Sequence, residues 1–404
     1  MTDRKEMLAP QIRFKGYTNA WGLCRLGEVS TYSNGGSYEN DVKEFGHYEL
    51  ITLKSVDMNG NLVSSNKFID IDAPTLKQGT LVMILSEQSP GLLGMTAIIP
   101  KSNKFVLNQR VAEIAPSQDM NNYYLSMQIN KNQVYFSKIG AGTKVQNISK
   151  PNVENFAFYC PNLPEQTAIG NFFRTLDTSI DIQKRKCESL RKLKAAYLQQ
   201  MFPQNGESVP RVRFSGFSDN WNEKKLSEVL LERNIQQLPS ETIPLVSFTV
   251  ESGVTPKSNR YNREFLVKEE QKKYKYTKTD DIVYNPANLK FGAIARNKYG
   301  DAVFSPIYVT FEVNDIALPS FIEMVVTDQD FIKRSLVFQE GTVYERMAVK
   351  PEDFLSLSIC LPSLEEQAII GKFFNNLDVQ IIAMQTKLDK LKQLKQAYLQ
   401  KMFV

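Results

Sequence analysis

A single histidine, His47, in 404 residues leaves no room for a histidine-based catalytic triad or a multi-histidine metal site. No G-x-x-x-x-G-K-[ST] loop occurs, and Gly371-Lys372 has the wrong neighbours, which argues against nucleotide hydrolysis by this chain. The acid pairs Asp280-Asp281 and Glu269-Glu270 could in principle hold a nuclease metal, but adjacent carboxylates read first as solvated charge. Cys24, Cys160, Cys187 and Cys360 are widely spread with no C-x-x-C pair. Neither a disulfide framework nor a zinc site is expected, and the cysteines read as packed thiols. No catalytic constellation emerges, and no metal ligand is assigned.

Asn285-Pro286-Ala287-Asn288 is similar to the element with which amino-methyltransferases hold a flipped base. It lacks the stacking aromatic, and no glycine-rich loop for S-adenosylmethionine accompanies it, so a turn after a strand is the expected reading. What remains is a set of basic, amide and aromatic residues in polar loops, the composition of surfaces that meet phosphates and base edges. The densest stretches are Lys272-Lys273-Tyr274-Lys275-Tyr276-Thr277-Lys278 and the run from Lys290 through Arg296, Asn297 and Lys298 to Tyr299. Thinner ones are Tyr32 to Ser37, with Asn34, then Lys101 to Lys104, and Asn108-Gln109-Arg110. The candidate DNA contacts are therefore Asn34, Ser37, Lys101, Lys104, Lys272, Lys273, Lys275, Lys290, Arg296, Asn297 and Lys298.

These loops need a frame, and the frame is written twice. Pro161 to Phe202 returns, with changes, as Pro362 to Phe403, at a constant offset of 201 residues. Glu165-Gln166, Ile169-Gly170, Phe172-Phe173, Leu176-Asp177 and Tyr197-Leu198-Gln199 meet Glu366-Gln367, Ile370-Gly371, Phe373-Phe374, Leu377-Asp378 and Tyr398-Leu399-Gln400. Asn162-x-x-Glu165 and Ser363-x-x-Glu366 are helix starts, and Pro164 suits a first turn. Leu377, Ile381, Met384, Leu388, Leu391 and Tyr398 then follow a 4-3 spacing, with Lys395 in the one missing step. That pattern predicts a coiled-coil seam. The first copy keeps the register with Leu176, Ile180, Leu190 and Tyr197, while Gln183, Cys187 and Lys194 are weaker members, so a partner helix is required.

The repeat reaches beyond the helices. Arg13-Phe14-Lys15-Gly16-Tyr17 returns as Arg213-Phe214-Ser215-Gly216-Phe217, and the only two tryptophans, Trp21 and Trp221, share a place, which favours a core role. Between these margins both modules carry short β-branched and aromatic runs. Strands are expected over 80–85, 96–99 and 110–114, with counterparts over 281–284, 292–295 and 307–311. The fold class is therefore α+β: two α/β modules (1–160 and 204–361) alternate with two long helices (161–203 and 362–404) paired along their seams in an internal duplication. A net charge of +5 is compatible with nucleic acid but too small to argue for it alone. No apolar run approaches the ~18 residues of a membrane span and no signal peptide is evident, so a cytoplasmic location is expected.

Two variable modules alternating with two near-copies of a Pro-x-x-x-Glu-Gln helix, each module entered through Arg-Phe-x-Gly-aromatic and a tryptophan, resemble the specificity subunits of type I restriction-modification enzymes. The resemblance covers the whole chain, and its one departure is Glu365 in place of Pro164. It implies a non-catalytic subunit whose two target recognition domains each read one half of a split double-stranded DNA site. It further implies helices that pair as an antiparallel coiled coil with pseudo-twofold symmetry, set the gap and dock two methylation subunits, which bring in the restriction subunits. S-adenosylmethionine, ATP and magnesium would be used by those partners, with no cofactor in this chain. Phe172, Phe173, Phe373 and Phe374 are the expected docking residues. The rival readings are a partner-independent DNA methyltransferase or nuclease, and a coiled-coil adaptor that binds only proteins.

Overall fold

The computed structural model describes residues 9–87, 91–142, 145–204, 207–256, 273–339 and 347–404. The chain divides into two compact units, residues 1–186 with 384–404, and residues 187–383. Each unit thus holds one module together with portions of both long helices, Leu163–Gln200 and Leu364–Lys401.

In the first unit the three strand segments expected from their β-branched and apolar runs are joined by Ser30–Asn34, which was not expected, in one antiparallel sheet of order Ser30–Asn34, Val111–Pro116, Leu81–Ile84 and Thr96–Ile98. A second sheet sets Tyr48–Ile51 between Phe68–Ile69, antiparallel, and Phe105–Leu107, parallel. Leu81 to Ile84 are buried on both faces, which is why that stretch reads as a continuous apolar run rather than an alternating one. Helix Asn122–Lys131 covers the sheet, its start capped by the Asn121 side chain accepting from the Tyr124 N–H. The module's two margins, Gly22–Arg25 and Ala157–Cys160, pair antiparallel.

The second unit has a four-stranded sheet of the same strand order and a three-stranded sheet that is wholly antiparallel. Its four-stranded sheet runs Leu230–Glu232, Val309–Val313, Ile282–Tyr284, Ile294–Arg296, and its three-stranded sheet runs Gln236–Gln237, Tyr274–Thr277, Ala302–Phe304. Asn222–Lys225 pairs with Ser358–Leu361 at its margin. A hairpin of Val246–Thr249 with Gly253–Pro256 is its own addition. Stacked rings of Tyr284, Phe311 and Phe354 form the centre of its core.

The helices bury the stripe that their spacing marks. Leu377 and Leu388 are buried in one helix, Leu176, Gln183 and Cys187 in the other. In the first unit Phe172 meets Tyr398 edge to face, Lys395 Nζ lies 2.6 Å from Asp177, and Gln183 donates to the Met384 carbonyl. In the second unit Tyr197 meets Phe373 in the same way, and Lys194 Nζ lies 2.5 Å from Asp378. The lysine that fills the missing apolar step is therefore neutralised by an aspartate that also belongs to the repeat. Gly170 and Gly371 let their helices approach a neighbour closely, since a Cβ there would lie 2.5 Å from Asn121 Oδ1 or 2.9 Å from Ser320 Oγ.

Both tryptophans are core residues. Trp21, 4% exposed, packs against Tyr124, while Trp221, 3% exposed, packs against Phe202 and Phe321. The expectation of packed thiols needs correction at one pair: Cys24 and Cys160 form a disulfide across the margin strands, with Cα atoms 6.5 Å apart. The register sets Gly22 opposite Cys160, which leaves Cys24 its diagonal neighbour on the same face. Cys187 and Cys360 lie outside it. No described helix is long and apolar enough to cross a membrane.

Candidate nucleic-acid interface

Each module is fixed to its helix by the same clasp. Glu165, 1% exposed, accepts from Arg13 Nε at 2.6 Å and from Nη2 at 2.7 Å, and the guanidinium also donates to the Asn19 carbonyl. In the second unit Arg213 makes the equivalent bonds to Glu366, both at 2.7 Å, and to the Asp219 carbonyl. Hydrogen bonding to the carboxylate, opposed by burial, raises each arginine above its ordinary pKa. The neighbouring glutamines complete the joint. Gln166 accepts from the Asn121 N–H and donates to the Pro161 carbonyl, while Gln367 accepts from the Leu318 N–H and donates to the Pro362 carbonyl. These residues were visible as repeats, yet their pairing across more than 150 positions was not.

On that frame the candidate contacts separate into displayed and withheld residues. In the first unit Asn34, Ser37, Lys101 and Lys104 are all exposed. Asn34 ends a strand of the four-stranded sheet, and its Oδ1 accepts from the Tyr32 hydroxyl at 2.7 Å, which leaves its amide N–H groups to donate outward. The structure also brings together two stretches that the sequence lists apart. Gly35 N–H donates to the Val111 carbonyl and Gly36 N–H to the Leu107 carbonyl. The turn Asn108-Gln109-Arg110 is thereby clamped beside Asn34 to Ser37.

In the second unit Lys273, Lys290 and Lys298 are exposed, with Lys290 Nζ 5.0 Å from the centre of the exposed Phe291 ring and Lys298 2.8 Å from Glu323. Lys272 lies outside the described residues. Three candidates are held inside and are not displayed for base or phosphate contact. Lys275, 5% exposed, is ion-paired with Glu232 at 3.1 Å and donates to Asn234. Asn297 is fully buried and closes its own turn by donating to Thr277 Oγ1 and to the Lys278 and Gly300 carbonyls. Arg296 is engaged by Asp280 at 2.6 Å and Glu323 at 3.0 Å. Asn285 behaves as a turn residue, its Oδ1 accepting from the Ala287 N–H.

The docking expectation for the phenylalanines is also corrected. Phe173 is fully buried and Phe374 is 2% exposed, each in the core of its own unit. Exposing either to a partner would forfeit about 1.5–3 kcal/mol of burial. Phe172 and Phe373 are half-buried against Phe14 and Phe214 respectively. The large apolar residues that the helices do expose are Ile182 and Leu394 in the first unit, and Leu193, Leu364, Ile369, Val379 and Ile382 in the second.

No group of His, Cys, Asp and Glu suited to a metal ion lies among the described residues. A cavity of about 660 Å³ in the second unit has Phe202, Trp221 and Phe331 in its wall and Glu207, Glu223 and Asp328 among its polar residues, an acid-rich lining unsuited to phosphate.

Residues 19–192 match the family model described as the type I restriction modification DNA specificity domain. Among solved structures, the S subunit of a type I restriction-modification system from M. genitalium matches with 16% identity over 98% of this chain and 99% of that one, at a TM-score of 0.68. A structure reported for complex assembly and conformational transition of the type I R-M system matches with 16% identity over 95% of this chain and 97% of that one, at a TM-score of 0.50. At such identities the likeness is one of fold.

Proposed function

We propose that this chain, whose residues 19–192 match the model of the type I restriction modification DNA specificity domain, is the DNA-recognition subunit of a type I restriction-modification complex. The observation that carries the reading is the pairing of like frames with unlike loops. Both modules use the same strand order in their four-stranded sheets and the same Arg–Glu clasp, while their three-stranded sheets and loops differ. A duplicated frame with two different reading surfaces suits a bipartite, asymmetric site, one half for each module.

In this reading the chain is an internal duplication with pseudo-twofold symmetry. The long helices form an antiparallel coiled coil that sets the gap between the half-sites. Two methylation subunits dock on the helix faces that carry the exposed Ile182 and Leu394, and Leu193, Val379 and Ile382. Methylation and cleavage, with their S-adenosylmethionine, ATP and magnesium, belong to the partners. Phosphate contacts come from Lys101, Lys104, Lys273, Lys290 and Lys298, whose exposure allows counterion release.

The test is a module exchange. Residues 30–150 are replaced by the corresponding stretch of another specificity subunit, and the methylated motifs of cells carrying the chain with its partners are sequenced. One half of the motif changes and the other is retained. A motif altered in both halves would overturn the assignment of one half-site to each module.

A further inference from the structure

We infer that the turn Asn108-Gln109-Arg110 is the base-reading tip of the first module, and that Arg110 takes a guanine through its fork of N–H donors. This rests on the DNA-reading function proposed above and deepens it. The tip lies between strands Phe105–Leu107 and Val111–Pro116, and its backbone is fixed from several sides. Asn108 N–H donates to the Ile51 carbonyl, Leu85 N–H donates to the Arg110 carbonyl, and the buried Asn108 side chain accepts from Tyr38 N–H while donating to Glu39 at 2.8 Å. Gly35 packs directly on this turn, since a Cβ there would lie 1.9 Å from the Asn108 carbonyl oxygen. Arg110 holds a φ of +65°, a left-handed conformation uncommon outside glycine and asparagine.

The turn is thus built in advance, with little ordering left for binding, and both Gln109 and Arg110 are exposed. The guanidinium is available. Arg13, Arg213, Arg233 and Arg296 are all committed to carboxylates, whereas Arg110 forms no ion pair within 4.0 Å among the described residues. The nearby Glu39 is hydrogen-bonded by Asn108 and Lys67, and the hydrogen bond from Asn108 is the main reason its pKa is lowered, with the charge of Arg110 the smallest contribution. An arginine fork matches the O6 and N7 acceptors that guanine presents in the major groove. Exposed Asn34 on the adjacent strand end adds an amide donor. The turn at the same place in the second module, between Ala302–Phe304 and Val309–Val313, carries Pro306-Ile307 instead, with Ile307 57% exposed. An apolar tip suits a thymine methyl, so one position of the frame gives the two modules opposite chemistry.

The test uses the full chain with its methylation subunits, comparing wild type with Arg110→Lys, which keeps the charge without the fork, and Arg110→Asn, a residue that tolerates the left-handed turn. Binding to duplexes varied at each position is measured against salt, and methylated motifs are sequenced. Both variants are expected to lose a roughly ten- to hundredfold preference at one position of one half-site, with the salt slope of Arg110→Lys unchanged. If Arg110→Lys keeps the preference while Arg110→Asn weakens all duplexes equally and lowers the salt slope by about one, Arg110 is a phosphate contact and the inference fails. It also fails if both variants keep the motif and the affinity of wild type. A wild-type complex without sequence preference would instead overturn the DNA-reading function itself.

Discussion

At the scale of single residues, the decisive fact is which charges are spent inside the chain. Glu165 has a side chain 2% exposed and one arginine partner, Arg13, at 15%. Removing the arginine leaves a buried carboxylate without its counter-charge, a change that typically costs about 3–5 kcal/mol. Arg13→Ala should therefore destabilise the first unit by that amount in urea unfolding, with faster hydrogen exchange over residues 9–160, whereas Lys43→Ala, at an exposed pair with Asp70, should cost less than about 1 kcal/mol. Equal effects would mean that the clasp is not what holds the module to its helix. The same distinction explains what composition could and could not reveal. The run from Lys272 to Lys278 reads as basic surface, yet Lys275 points to Glu232, 43 residues earlier. Asn297 closes a local turn rather than facing outward. Charge along a chain is local, while its neutralisation is not. Arg110 is the converse case, ordinary in sequence and distinctive only once Gly35 and Asn108 are packed together.

At the scale of elements, the helices were the most legible part because their pattern repeats over ten turns and then again in a second copy. Every residue assigned to the second seam, from Leu377 through Lys395 to Tyr398, is buried or half-buried. The expected strands over 80–85, 96–99 and 110–114 supply three of the four strands of one sheet, and their counterparts do so in the other. The three-stranded sheets and margin strands escaped notice since they are short and carry polar residues, such as Gln236–Gln237 and Asn222–Lys225. If helix length sets the gap between half-sites, insertion of four residues after Arg185 and after Thr386 tests it. The insertions add ~6 Å of rise and nearly restore the facing stripe. The half-site sequences should persist with a gap longer by one or two base pairs, as read by methylome sequencing. An active complex with its original gap would assign the spacing to something other than the helices.

At the scale of the whole molecule, the two units are closed by the same joint made in two different ways. In the second, the Val212 N–H bonds the Gln200 carbonyl at 2.9 Å, twelve residues along the chain, and Phe202 enters the core beside Trp221 and Phe321. In the first, the Ile12 N–H bonds the Lys401 carbonyl at the same distance, and Phe403 enters beside Tyr124 and Phe173, although those segments lie nearly the full sequence apart. Continuity of the backbone is therefore not what makes the joint. A single protease cut between residues 203 and 208 would yield two fragments in which each lends the end of its helix to the other's core, 187–203 in one direction and 384–404 in the other. That is the arrangement of a reciprocally domain-swapped dimer. The cut protein should run as two bands in denaturant yet elute as one particle under native conditions, and on the proposed function it should read DNA as the uncut protein does. Fragments that part on native size exclusion would show that the link itself carries the assembly. If they stay together, two independently expressed halves become a route to reassorting reading surfaces by simple mixing.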